Sequence, residues 1–274
     1  MPVDPTPPAV PVDPTPSGLR VRRVMTTRAG GRSSGPFARF NLSLGVGDDP
    51  ADVAGNRARV VRELGLSGLV FLRQVHGRDV AVLREPPRAR PGSGGVAPDI
   101  PDVDAVVTDV PLLGIAVLAA DCVPVLLGDA RAGVVGAAHA GRSGAASGVL
   151  DAVVEQMTAL GATTERLEVL LGPAVCGSCY EVPAAMRDEV EAALPGSAST
   201  TRTGTAGLDL RAGLTRRLAD LGVTRVGTDP RCTIEDPDLY SHRREGRCGR
   251  QAAITWLDPR DARDARRTPP RAAR

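Results

Sequence analysis

The 274-residue chain contains no lysine, so all 34 of its basic residues are arginine. A P-loop lysine, a pyridoxal Schiff base and a lysine nucleophile are therefore excluded, because guanidinium neither forms those bonds nor gives up its proton. Aromatic residues make up 2% of the chain and the formal charge is +2, too little stacking surface and too little positive charge to expect a nucleic-acid partner. No run approaches the ~20 apolar residues of a membrane span. The N-terminus is rich in proline and aspartate and lacks the basic end and apolar run of a secretion signal. No membrane partner is expected, and the expected location is cytoplasmic. Histidine is scarce, with three in all, and the five cysteines are an odd number thinly spread. That usage favours metal binding or reactivity over a disulfide framework.

What is present is a soluble composition, 42% apolar and 24% charged. Residues 1–18 read as a disordered Pro-rich arm, since Pro-Val-Asp-Pro-Thr-Pro occurs at Pro2 to Pro7 and again at Pro11 to Pro16. Residues 258–274, with six arginines among Asp, Ala and Pro, read as a disordered tail. Residues 19–257 between them read as one domain. Asp49-Pro50-Ala51-Asp52 supplies an N-cap, a first-turn proline and a first-turn acid ahead of Val53 to Leu64, with Gly65 closing the helix. Further helices are expected at Ala145 to Leu160, Ala184 to Leu194 and Leu210 to Leu221. Buried strands are expected at Val80 to Leu83, Ile115 to Ala120, Val123 to Leu127, Val134 to Ala138 and Leu167 to Leu171, with a last strand at Ile254 to Leu257.

Two of the histidines end apolar segments, in Gln74-Val75-His76-Gly77 and Ala138-His139-Ala140-Gly141, and Ala120-Asp121-Cys122 ends another. Two imidazoles and one thiolate suit zinc and leave a fourth position for water, the pattern of a catalytic site. The same residues also read as ordinary polar residues at strand ends and a core cysteine, because ligands so far apart in sequence have no diagnostic interval. Cys176-Gly177-Ser178-Cys179 reads as a redox pair, as half of a zinc knuckle with Cys232 and Cys248, or as unpaired thiols. Arg243, Arg244, Arg247 and Arg250 crowd into one short segment. Their guanidinium forks match phosphate or carboxylate oxygens, although a solvated turn has the same composition.

The order of these segments is familiar. Asn41-Leu42-Ser43, Gly47-Asp48, Asn56-Arg57, Gln74-Val75-His76-Gly77, Asp104-Ala105, Ala120-Asp121-Cys122-Val123-Pro124-Val125 and Ala138-His139-Ala140-Gly141 come first. They are followed by Gly172-Pro173, Cys179-Tyr180-Glu181-Val182, Asp209-Leu210, Cys232-Thr233, Ser241-His242-Arg243-Arg244 and Gly249-Arg250. Together they resemble the YfiH family, also called the laccase-domain, FAMIN-like or peptidoglycan-editing-factor family. The resemblance implies an α+β fold, a single domain of mixed β-sheets layered with helices as α-β-β-α. It implies zinc held by His76, Cys122 and His139. The implied activity is purine nucleoside chemistry: phosphorolysis of adenosine, inosine, guanosine and methylthioadenosine, and deamination of adenosine. Asp121, Arg244 and Arg250 are the expected catalytic residues, with Asp121 as proton shuttle or orienter and the arginines on phosphate. Asn41, Gln74, Arg142, Cys179 and Arg243 are expected on the substrate. Two departures stand out, Arg142-Ser143 where relatives usually have Trp-Arg, and His242 where they have tyrosine.

Other readings remain. The same zinc water, or Cys122 or Cys179 as thiolate, would serve a peptidoglycan-editing hydrolase acting on cell-wall precursor peptides. Copper bound adventitiously would give weak polyphenol oxidase activity, but a multicopper oxidase needs roughly ten histidine ligands. A binding-only role is the last alternative.

Overall fold

In the computed structural model, residues 19–259 are described; the expected N-terminal arm and all but the first two residues of the expected tail lie outside them. The strands are β1 (Arg20–Met25), β2 (Gly68–Arg73), β3 (Val80–Leu83), β4 (Ile100–Pro101), β5 (Ala105–Thr108), β6 (Leu113–Ala119), β7 (Val123–Asp129), β8 (Val134–Ala140), β9 (Glu168–Leu171), β10 (Ala198–Thr200), β11 (Ala206–Leu208), β12 (Arg225–Thr228) and β13 (Gln251–Asp258). The helices are α1 (Pro50–Leu64), α2 (Arg142–Ala146), α3 (Val149–Ala159), α4 (Ala184–Ala193), α5 (Leu210–Asp220) and α6 (His242–Glu245).

Two mixed sheets stack face to face, in the orders β1-β13-β6-β2-β4 and β12-β9-β7-β8-β5-β3, with β10-β11 as a separate ribbon. Alternation along the strands explains the layering. In β8, Val134, Ala138 and Ala140 pack with Val149, Val153 and Met157 of α3, while Val135 and Ala137 pack with Ile115, Val117 and Ala253 of the opposite sheet. The outer face of that opposite sheet, through Phe71, Ala116, Leu118, Ile254 and Trp256, is covered by Val60 and Val61 of α1. The result is the α-β-β-α arrangement. Central strands buried on both faces have no polar side to show, which is why they read in sequence as continuous apolar runs.

α1 forms as its caps dictate: the Asp49 side chain accepts from the Ala51 N–H at 2.8 Å, and Gly65 turns left-handed at φ 63°. The expected helix over Ala145 to Leu160 is two helices, because Gly148 takes φ 87° and breaks the ladder. The last strand is longer than expected and runs to Asp258, which pairs with Arg20 of β1. No helix among the described residues is long and apolar enough to cross a membrane.

Candidate active site

Strand ends from both sheets meet at one end of the sandwich. β6 and β7 belong to different sheets, so the turn between them crosses the interlayer space and carries Asp121, at φ 99°, and Cys122. His139 is the penultimate residue of β8 and follows Val135 and Ala137 on the side facing the other sheet. His76 sits in the loop after β2, at φ 61°. These two positive-φ residues are strained for L side chains, and they place a carboxylate and an imidazole in one cleft.

The ligand atoms of His76, Cys122 and His139 lie within 4.8 Å of one another. Cys122 Sγ is 3.8 Å from His76 Nε2, and the two imidazole rings are 4.8 Å apart at 79°. Gly141 makes this approach possible. A Cβ there would stand 2.6 Å from His76 Cδ2, 3.2 Å from Cys122 Sγ and 3.4 Å from His139 Cε1.

Asp104, fully buried, holds the group together. Its Oδ1 accepts from His139 Nδ1 at 2.8 Å and from the His76 N–H at 2.9 Å. Its Oδ2 accepts from the N–H groups of Val75 at 3.0 Å and Gly77 at 2.7 Å. One carboxylate therefore fixes the His139 tautomer, leaving Nε2 toward Cys122, and shapes the His76 loop. Carboxylate orientation of a ligating histidine is a recurrent feature of metal sites. Sequence reading placed Asp104 in a familiar segment without giving it a role. Its signal was an acid just ahead of an apolar strand, which becomes meaningful only when β5 lies beside β8.

The electrostatics follow from this packing. Burial works to raise the Asp104 carboxyl, but hydrogen bonds from His139, Gly77 and Val75 outweigh it and hold the group below its ordinary range. Burial would raise the Cys122 thiol, yet hydrogen bonding and charge from His139 and His76 bring it down to about 6. Burial would lower the His139 imidazole, yet its bonds to Asp104 and Cys122 raise it to about 9. Both shifts run toward the charged forms, thiolate and imidazolium.

The three donors open into a cavity of about 880 Å³, within the usual size range of small-molecule sites. Of the other predicted residues, Asp121, Gln74, Arg142, Arg243 and Arg250 line it. Gln74 reads the end of β6, donating to the Leu118 carbonyl and accepting from its N–H, both at 2.8 Å. Asp121 accepts from Thr233 Oγ1 at 2.6 Å and from the Arg243 N–H at 2.7 Å, so one oxygen holds the loop after β12 and the other holds α6. Arg243 donates to the Glu181 carbonyl at 3.0 Å and stacks over Tyr180 at 4.8 Å. Arg250 donates to the carbonyls of Cys248 and Gly249. Arg142, the first residue of α2, makes no hydrogen bond or ion pair among the described residues and faces the cavity.

Three predicted residues lie elsewhere. Arg244 donates to the carbonyls of Thr233, Ile234, Asp236 and Leu239 and to Glu245; a guanidinium so engaged holds the loop and does not face the cavity. Asn41 is fully buried, bonded to the Ser43 backbone, Asp48 and the Arg250 N–H, and shapes the wall behind Ser43 and Leu44. Cys179 belongs to a second group, with Cys176, Cys232 and Glu235. Tyr180 and His242, not predicted as site residues, also line the cavity.

Residues 22–258 match the model of a family described as multi-copper polyphenol oxidoreductase laccase. The chain is 52% identical over 242 residues to a purine nucleoside phosphorylase of Mycobacterium tuberculosis, covering 88% of this chain and 93% of that one. It is 51% identical over 244 residues to a purine nucleoside phosphorylase of Corynebacterium glutamicum, covering 88% and 96%. Among solved structures, YlmD from Geobacillus stearothermophilus superimposes with a TM-score of 0.79 at 32% identity, over 89% of this chain and 94% of that one. A match spanning both sheets and every strand end that builds the cavity leaves one assignment: the chain belongs to this laccase-like family, the YfiH family.

Proposed function

We propose that the protein is a cytoplasmic, zinc-dependent purine nucleoside phosphorylase, acting on nucleosides such as adenosine, inosine, guanosine and methylthioadenosine. The observation that carries this reading is the juxtaposition of a three-donor metal set with a cationic cavity. Four arginines and two aspartates line that cavity. Asp99 is already paired with Arg57, and Arg73 with Asp102, which leaves Arg142, Arg243 and Arg250 against Asp121. The surplus is positive and suits phosphate. The names of the relatives support the same reaction class, and five free thiols suit a reducing compartment.

His76, Cys122 and His139 would hold the zinc. The donor types fit, the Asp104 bond presents His139 Nε2, and Gly141 leaves the needed space. A zinc bound there would supply Lewis acidity to the base or an activated water. Copper would be adventitious, since three histidines cannot furnish a multicopper centre.

In phosphorolysis a phosphate oxygen bonds to the sugar C1′, the C1′–N bond breaks, and the purine leaves with the electron pair and takes a proton. Arg142, Arg243 and Arg250 bind the anion. Asp121 positions Arg243 through its backbone N–H, and Arg244 holds the loop on which Thr233 stands. Val175, Met186 and Leu210 offer an apolar wall for the base. Hydrolytic deamination of adenosine is the second reading. What favours it is that no fourth protein donor joins the three among the described residues, which leaves a place for water.

The test is to assay metal-analysed protein with adenosine and inosine, each with and without phosphate, following base, sugar phosphate and ammonia by chromatography. Phosphate-dependent release of base and ribose 1-phosphate, lost in His76→Ala, is expected. Zinc-loaded protein that turns over no nucleoside overturns the proposal.

A further inference from the structure

We propose that Cys176, Cys179, Cys232 and Glu235 form a second metal site, a thiolate-rich structural zinc centre that clamps the loop after β9 to the loop after β12. One ligand atom from each of the four residues lies within 4.8 Å of the others. Tetrahedral zinc with Zn–S bonds of about 2.3 Å needs sulfur–sulfur edges of about 3.8 Å, so a small closure of the group around an ion suffices. A disulfide would leave the third thiol over, and all the cysteines are free.

Cys176-Gly177-Ser178-Cys179 forms a tight turn in which the N–H groups of Cys179 and Tyr180 both donate to the Cys176 carbonyl, at 3.0 and 2.9 Å. The Cys176 N–H donates to Cys232 Sγ at 3.4 Å and ties the two loops together. A redox CxxC draws its reactivity from the first turn of a helix. Here the next helix, α4, begins only at Ala184, so no helix N-terminus acts on the pair, and the Cys176 thiol, against the effect of burial, is lowered to about 7 by hydrogen bonds with Ser178, Cys232 and Cys179. Arg202 engages Glu235 Oε1, which leaves the second oxygen for a metal and offsets part of the negative charge of the donor set. Cys248, considered as a ligand from sequence, is buried elsewhere, against Ala120 and Tyr240.

The position gives the centre a task. Ala174 and Cys232 pair as an isolated bridge; the neighbouring Val175 N–H donates to the Asp121 carbonyl at 3.0 Å, and Thr233 Oγ1 donates to the Asp121 carboxylate. Fixing Cys176, Cys179 and Cys232 on one ion therefore fixes the wall of the cavity from behind, without touching what binds there. Nothing in this inference depends on the reaction assigned to the cavity, and each can fail alone.

The experiment titrates zinc into metal-free protein under reducing, anaerobic conditions, removes unbound metal, and measures content by mass spectrometry. About two zinc ions per chain are expected for the unaltered protein, and about one for a His76→Ala/Cys122→Ser variant, which keeps only the second set. Cobalt added to that variant should give a thiolate-to-metal charge-transfer band. Iodoacetamide mapping of the unaltered chain needs no variant: saturating zinc should slow labelling of Cys176, Cys179 and Cys232 at least tenfold. A His76→Ala/Cys122→Ser variant without zinc, unchanged labelling of those three cysteines, or a metal-refusing disulfide among them would overturn the proposal.

Discussion

Replacing Asp104 by asparagine probes the proposed zinc site through a residue outside its three-donor set. The side chain keeps its size, but one oxygen becomes an NH2 group, and each oxygen currently accepts two bonds. If the amide nitrogen takes the Oδ2 place, the N–H groups of Val75 and Gly77 lose their acceptor and face another donor. Both N–H groups are partly exposed to water, so the loss is that of two ordinary hydrogen bonds, about 1–3 kcal/mol together. If it takes the Oδ1 place, it meets His139 Nδ1, which must then become the acceptor. The ring proton moves to Nε2, and the nitrogen facing Cys122 is lost as a ligand. Loss of such a carboxylate partner lowers metal affinity by about 10–100-fold. Thermal unfolding and competitive zinc titration separate the two branches. An Asp104→Asn protein with unchanged melting temperature and unchanged zinc affinity would refute the reasoning, because neither orientation of the amide preserves both.

Gly141→Ala should spare the fold and spoil the site. Gly141 has φ −71° and ψ 167°, open to any residue, but the new Cβ sits 2.6 Å from His76 Cδ2; a displacement of about 1 Å predicts a loss of about 100-fold in metal-dependent turnover, read as kcat/KM at near-normal melting temperature. Alkylation of Cys122 in metal-free protein should titrate near pH 6, and zinc should suppress it. The sign is that of a lowered pKa: the thiolate persists above about 6, and the stability it lends is lost as pH falls through that value, while the raised His139 contributes the opposite slope, so the effect is read by mass spectrometry of the alkylated cysteine between pH 5 and 8. Arg142→Ala should raise the KM for phosphate about tenfold with little change in melting temperature, since its side chain bonds to nothing else. Arg244→Ala should do the reverse, costing about 2–4 kcal/mol because several carbonyls lose their donor.

Local rules made the helices legible. Asp49-Pro50 and Gly65 bracket α1, and Asp209, whose side chain accepts from the Ala212 N–H at 3.1 Å, starts α5 where the apolar period begins. The helix over Ala145 to Leu160 misled because a single Gly148 in a good helix-forming stretch breaks the chain only when tertiary packing takes the left-handed turn, and propensity does not decide that. β1, with the sequence RVRRVM, was invisible for a related reason. It is an edge strand, its arginines stay partly exposed, and it exists because β13 offers it a partner from the far end of the chain. Long-range pairing of this kind leaves no mark in a local window.

The site divides along the same line. His76, Cys122 and His139 could be singled out because apolar runs ended on them and because a familiar order of segments assigned them, while the spacing alone did not separate ligands from strand-end residues. The arginines were harder. Composition presents Arg243, Arg244 and Arg250 as one cationic cluster, yet α6 sends Arg244 back to the carbonyls of its own loop and leaves Arg243 and Arg250 on the cavity wall. The sorting is done by Ser241, whose side chain caps α6 by accepting from the Arg244 N–H at 3.1 Å, and by Asp121, which accepts from the next N–H back, that of Arg243. A short helix held by two side-chain acceptors thus decides which of its guanidinium groups faces the cavity. His242 opens the same helix, and its Nδ1–H donates to the Gly246 carbonyl at 2.6 Å. An imidazole closes the turn here by a bond that a phenol, with no donor at that position of the ring, does not reproduce. His242→Tyr should therefore loosen α6 and raise the KM for phosphate, since Arg243 moves with it, while leaving zinc content unchanged. An unaltered KM in that variant would show that α6 is held by Ser241 and Asp121 alone.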